Sequence, residues 1–146
     1  MLKIKIQKLD SSAILPKRMT NHAAGYDLYS GNHENILIKS GEVILVPTGL
    51  AIELPIGYEA QIRPRSGLAI NHQLGVLNYP GTIDADYRGE IKIILFNFGQ
   101  SDFIIKPHTR IAQMVIARHE TVEFDLTDKL VETERGEGGF GHTKGN

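Results

Sequence analysis

The chain has 146 residues, 41% of them hydrophobic and 23% charged, with a formal net charge of -1 and no cysteine. That length suits one domain with a core of its own. The near-neutral balance argues against a general nucleic-acid binder, which carries a basic excess, and the lack of cysteine excludes disulfides, thiolate metal sites and a cysteine nucleophile. No apolar run approaches the ~20 residues that cross a bilayer, so no membrane partner is expected. Met1 to Ile6 alternate instead of forming a signal-peptide core, which points to a cytoplasmic protein.

In chain order, Leu2, Ile4 and Ile6 alternate with Lys3 and Lys5, the period of a half-buried strand. Asp10-Ser11-Ser12 ends it, and Pro16-Lys17-Arg18 keeps the next piece irregular. Ala23-Ala24-Gly25 leads into a short β run through Tyr29, and Ile36 and Ile38 alternate again. Strands are predicted over residues 43–46, 50–54 and 58–62, separated by Pro47-Thr48-Gly49 and Pro55-Ile56-Gly57. Turn signals at such short intervals are the cadence of a sandwich or barrel. Only residues 67–72 look helical, with Ser66 ahead of them as the N-cap.

Residues 77–90, L-N-Y-P-G-T-I-D-A-D-Y-R-G-E, read as a β-hairpin. Its turn is Tyr79-Pro80-Gly81, where proline pre-sets φ and glycine supplies backbone freedom. Its rim carries an amide, two carboxylates, a phenol and a guanidinium. Asp84 and Asp86 are two apart and project to one face of an extended chain, where they repel unless a cation, water or donor lies between them. Taken alone, the pair is equally consistent with a solvated acidic loop end. Arg88 or a neighbouring donor is the expected partner of Asp86.

Beyond the hairpin, strands are predicted over residues 90–98, 103–105, 111–117 and 122–124. No long amphipathic helix is predicted. The fold class is therefore all-β: about ten or more short strands in a distorted jelly-roll barrel or double sheet with one short helix. From Arg135 to Asn146 the chain is polar and glycine-rich with a single aromatic, and cannot build a core. It reads either as a frayed terminus or as a flexible flap that orders on a ligand. The domain division is residues 1–134 as the β domain and 135–146 as the flap.

Three donor clusters suit phosphate. Arg63-Pro64-Arg65-Ser66-Gly67 puts two guanidiniums and a hydroxyl at the mouth of a helical turn. Gln113 follows Arg110-Ile111-Ala112 into a buried strand, where an amide serves a sheet edge as readily as a ligand. Arg135, Thr143 and Lys144 in the tail add further donors, with Phe140 as an aromatic face. Phosphoryl chemistry needs such cations to neutralise non-bridging oxygens and a carboxylate to orient the attacking water. The six histidines show no paired-ligand spacing, so Mg²⁺ carried by phosphates and waters is expected rather than a protein-held zinc.

Five blocks together resemble the ordered motifs of the trimeric dUTPases, deoxyuridine 5′-triphosphate nucleotidohydrolases. They are A-A-G-Y-D-L at 23–28, R-S-G-L-A at 65–69, N-Y-P-G-T-I-D-A-D-Y-R-G-E at 78–90, R-I-A-Q at 110–113 and R-G-E-G-G-F-G-H-T at 135–143. The resemblance implies a jelly-roll homotrimer with active sites shared between subunits, hydrolysing dUTP to dUMP and pyrophosphate. By that resemblance, Asp84 activates the attacking water and touches the sugar 3′-hydroxyl. Asn78 and the backbone at Gly81, Thr82 and Ile83 read uracil, while Tyr87 stacks on the deoxyribose and Lys92 lines its side. Arg65, Ser66, Gly67 and Gln113 hold the phosphates, and Asp27 meets Mg²⁺ through waters. Arg135, Gly141, His142 and Thr143 close on the γ end, with Phe140 over the base. Alternatives are a dCTP deaminase on the same scaffold, which needs a glutamate near the hairpin, or a nucleotide-binding regulator.

Overall fold

A computed structural model describes residues 1–139. The elements are β1 (Lys5–Lys8), β2 (Tyr26–Tyr29), β3 (Ile36–Ile38), β4 (Val43–Pro47), β5 (Leu50–Glu53), β6 (Tyr58–Arg63), α1 (Ser66–His72), β7 (Leu74–Val76), β8 (Gly81–Ile83), β9 (Lys92–Asn97), β10 (Phe103–Ile105) and β11 (Arg110–Arg118). A four-stranded sheet of order β2-β11-β6-β8 and a three-stranded sheet of order β4-β9-β7 form the body, with β1 paired to β5 and β10 to β3. All these pairs are antiparallel.

Pairing into sheets gives the strands an inside and an outside. In β9, Ile93 and Leu95 are buried while Lys92 is exposed. Leu28, Ala60, Ile62, Ala112 and Met114 from one sheet meet Val46, Leu74, Val76, Ile93 and Leu95 from the other in one apolar cluster. Burying a side chain of this size contributes roughly 1.5–3 kcal/mol, so this shared layer holds the two sheets together. The architecture is a double-sheet jelly roll, without closure into one barrel among the described residues.

Four sequence expectations are corrected. The first strand begins at Lys5 and its four residues are all exposed, because β1 is an edge strand paired only with β5. Ser66 is the first residue of α1 instead of its cap; Arg65 holds the N-cap position and no side chain caps the helix. Residues 122–124 belong to no strand, and Phe124 is 94% exposed. A strand needs partners for its N–H and C=O groups, and this segment meets none among the described residues.

The hairpin is the fourth. β7 does pair with β9, Val76 opposite Leu95. The loop between them, however, sends β8 across to β6 of the other sheet, with Gly81 opposite Ile62 and Ile83 opposite Ala60. Gly81 permits the crossing: a Cβ there would sit 3.1 Å from the Asn78 amide nitrogen and 3.3 Å from the Ile62 Cβ. The hairpin thus straddles both sheets.

Candidate active site

The straddling loop opens a cleft of about 330 Å³ between the sheets, lined by Asn78, Thr82, Ile83, Asp84, Tyr87, Glu90 and Lys92, with Leu45 and Ile94 as its apolar part. The Tyr87 hydroxyl donates to the Glu90 carbonyl at 3.0 Å. This folds the ring over Gly89, where any Cβ would collide with the phenol oxygen. The carboxylate of Glu90 accepts from the Gly49 N–H at 2.8 Å and stands 3.6 Å from the Lys92 ammonium. Beside it, Thr48 Oγ1 donates to the Ile91 carbonyl at 2.6 Å, and the Ile91 N–H donates to the Leu50 carbonyl at 2.8 Å. The exit of the hairpin is therefore stapled to the β4–β5 turn.

Asp84 is exposed, and its carboxylate makes no hydrogen bond or ion pair with the described residues. Only its backbone is committed, the carbonyl accepting from the Tyr87 N–H at 3.2 Å. Arg88 does not pair with Asp86 as expected; its guanidinium donates to the carbonyls of Ala85 at 2.7 Å and Tyr87 at 2.9 Å. Carbonyls closed into the same tight loop lie nearer to it than the outward carboxylate.

A second cleft of about 320 Å³ gathers Asp27, Arg65, Ser66, Gly67, Arg110 and Gln113 beside Met19, Thr20, Ala23 and Gly25. Arg110 and Gln113 are three apart and would face opposite ways in a regular strand. A bulge in β11 between Arg110 and Ala112 inserts one residue and turns both to the face that carries Asp27. Asp27, buried to 9% exposure, then takes Arg110 on one carboxylate oxygen at 3.1 Å and Arg65 on the other at 3.4 Å. Arg65 also donates to the Arg110 carbonyl at 3.0 Å. The Gln113 amide donates to the Pro64 carbonyl at 2.9 Å, which leaves its second N–H for the cleft. A side chain at Gly25 would displace the Gln113 carboxamide oxygen from its present position.

Arg110 is the member that reading the sequence missed. Its signal lay in the R-I-A-Q block, but the bulge that aims it is invisible in residue types. Arg135 is exposed, its Nε donating to the Gly138 carbonyl at 2.8 Å in a local turn. Phe140, Gly141, His142 and Thr143 lie outside the described residues. The two clefts share no residue.

Among the described residues no group of three or more His, Asp or Glu side chains could hold a metal. Asp27 already faces two guanidiniums, and its remaining lone pairs can accept hydrogen bonds from the water shell of a cation. The displaced carboxyls lie outside both clefts. Ser12 holds Asp10 below the usual carboxylate range, and the Lys5 ammonium does the same for Glu53.

A family model described as dUTPase matches residues 11–144. The chain belongs to the dUTPase family. It is 56% identical over 141 residues to the deoxyuridine 5′-triphosphate nucleotidohydrolase of Rickettsia felis, covering 96% of this chain and 95% of the relative. With that of Rickettsia typhi the identity is 57% over 143 residues and 97% of each chain. Among solved structures, a mutant dUTPase of Staphylococcus bacteriophage 80alpha with dUpNHpp superposes with a TM-score of 0.89 at 25% identity, covering 98% of this chain and 99% of that one. A mutant dUTPase from phage phi11 of S. aureus, described with a structural Mg(II) ion, shares the fold with a TM-score of 0.81 at 22% identity, covering 90% of this chain and 100% of that one. The family places the jelly roll and the ordered blocks in one lineage.

Proposed function

We propose that Asp84 is the water-activating carboxylate with which this dUTPase hydrolyses dUTP to dUMP and pyrophosphate. The observation that carries this assignment is a carboxylate on the wall of the hairpin cleft with no side-chain partner among the described residues, while the arginines line a different cleft. A water oriented by Asp84 attacks the α-phosphorus and passes a proton to the carboxylate. The new O–P bond forms as the α–β bridging bond breaks, and pyrophosphate leaves.

Asn78 and the backbone at Gly81, Thr82 and Ile83 take the uracil edge, where a wrong base leaves polar groups unpaired. Tyr87, locked by Glu90 and Gly89, excludes a 2′-hydroxyl, and Lys92 lines the sugar side. Arg65, Ser66, Gly67 and Gln113 hold the phosphate chain. Mg²⁺ on the triphosphate would neutralise its non-bridging oxygens, with Asp27 touching it only through water. Residues 135–146 close over the bound nucleotide, Phe140 on the base and Arg135, Gly141, His142 and Thr143 at the γ end. Residues 1–134 are the body.

The working unit is a homotrimer in which one copy's hairpin cleft meets another copy's arginine cleft. The separation of the two clefts within a chain supports this. So does the exposed apolar run after β11, where Phe124, Leu126 and Val131 are 94%, 97% and 91% exposed, surface that a lone soluble chain rarely leaves open. A cytoplasmic location is part of this reading, as is a role in keeping uracil out of DNA and supplying dUMP for thymidylate synthesis. No helix among the described residues is long and apolar enough to cross a membrane.

The test is pyrophosphate release from dUTP, dCTP, dTTP and UTP, with and without Mg²⁺. Preference for dUTP over UTP and dCTP is expected. Formation of deoxyuridine nucleotides from dCTP would instead indicate a deaminase.

A further inference from the structure

We propose that Lys92 is a positioning residue that acts through Glu90: its ammonium offsets a carboxylate that the fold fixes in the hairpin cleft, so that a charged nucleotide can enter. This rests on reading the hairpin cleft as the nucleoside site. Glu90 and Lys92 are two apart at the entry to β9, and both line the cleft while Ile91 between them is fully buried. Glu90 is needed there as an acceptor. One of its oxygens takes the Gly49 N–H at 2.8 Å, which fastens the hairpin exit to the β4–β5 turn. A glutamine would supply the same acceptor without a charge. The negative charge is therefore surplus to the staple, on a side chain only 22% exposed.

Against a polyanion that surplus matters. The charged residues lining the cleft are Asp84, Glu90 and Lys92, two carboxylates to one ammonium. Asp84 has to keep its charge for the chemistry assigned to it, which leaves Glu90 as the carboxylate to be offset. The Lys92 ammonium stands 3.6 Å from the Glu90 oxygen that Gly49 does not use. That is longer than a hydrogen bond, so the pair acts through charge and leaves the ammonium donors to other contacts. Lys92 thus borders the sugar side of the cleft, but what it contributes to binding is charge.

The experiment uses the full chain and measures competitive inhibition constants for deoxyuridine, which is uncharged, and for dUMP, together with KM for dUTP. Lys92→Met should raise the dUMP constant and KM roughly three- to fivefold, the size of an incompletely exposed charge effect, and leave the deoxyuridine constant where it was. The loss should appear in KM more than in kcat, and added salt should shrink it. Lys92→Arg should restore both constants, since it keeps the charge. Adding Glu90→Gln to Lys92→Met should bring the dUMP constant back to within about twofold of the parent, because the staple keeps its acceptor and the uncompensated carboxylate is gone. An equal rise for deoxyuridine and dUMP would make Lys92 a sugar contact and overturn the proposal. So would a double variant no better than Lys92→Met, or an arginine that fails to rescue. If Lys92→Met does not fold, Lys92→Gln is read in the same way. A parallel Asn78→Ala variant separates the two levels: unchanged deoxyuridine and dUMP constants there would sink the nucleoside reading of the cleft itself.

Discussion

The two clefts are nearly equal in volume and opposite in construction. In the arginine cleft, Asp27, Arg65, Arg110, Gln113 and Pro64 are tied to one another before any ligand is present. In the hairpin cleft only the supports are tied: Tyr87 to Glu90, and Glu90 to Gly49. Asp84, the group assigned to the chemistry, has no side-chain partner among the described residues. Holding a polyanion needs fixed cations whose repulsion is already settled, whereas activating water needs a carboxylate whose lone pairs are not spent on the protein.

The sharpest way to break this contrast is Asp84→Asn. Turnover of dUTP should fall by about a thousandfold while α,β-imido-dUTP still binds, because general-base removal costs on the order of 10²–10⁴ and the arginine cleft is untouched. Pyrophosphate release paired with calorimetry checks it, and unchanged turnover would end the role given to Asp84.

Deleting residues 135–146 should lower turnover on the order of a hundredfold, as loss of positioning at the phosphate end does, with far-UV circular dichroism and the oligomer size unchanged. Failure to fold would mean that the tail belongs to the body.

Tyr87→Ala tests the nucleoside half. The preference for dUTP over UTP should drop roughly tenfold or more with little change in thermal stability, read from kcat/KM for the two nucleotides. A selectivity that survives would remove Tyr87 from sugar discrimination.

The smallest effect is expected at Glu90. Glu90→Ala leaves the half-buried Gly49 N–H without its acceptor and should cost about 1–3 kcal/mol of stability with a rise in KM of a few-fold. Glu90→Gln keeps an acceptor and should recover most of both. Equal losses in the two would make the charge near Lys92, not the staple, the relevant contact.

Much of this molecule was legible in order of residues. The Ile- and Phe-rich β run at residues 90–98 and turn signals such as Pro47-Thr48-Gly49 placed most strands, because β-forming residue types and turn chemistry are local properties. The five blocks named the family because each keeps its residue types in sequence. The failures share a cause. Whether residues 122–124 form a strand depends on an edge to pair with, and whether β8 stays in its own hairpin depends on Gly81 meeting Ile62 across the fold. Ser66 read as a cap because its type suits one, but the chain enters α1 one residue earlier.

Sequence alone therefore determined an all-β member of the dUTPase family and the types of its functional residues. Tertiary structure decided which of those residues meet. The β11 bulge turned Arg110 onto Asp27, and the crossing of β8 opened the hairpin cleft between two sheets. The separation of that cleft from the arginines is equally a product of packing. Residue types and periods are written along the chain, whereas register shifts and cross-sheet contacts arise only when distant segments compete for the same partners.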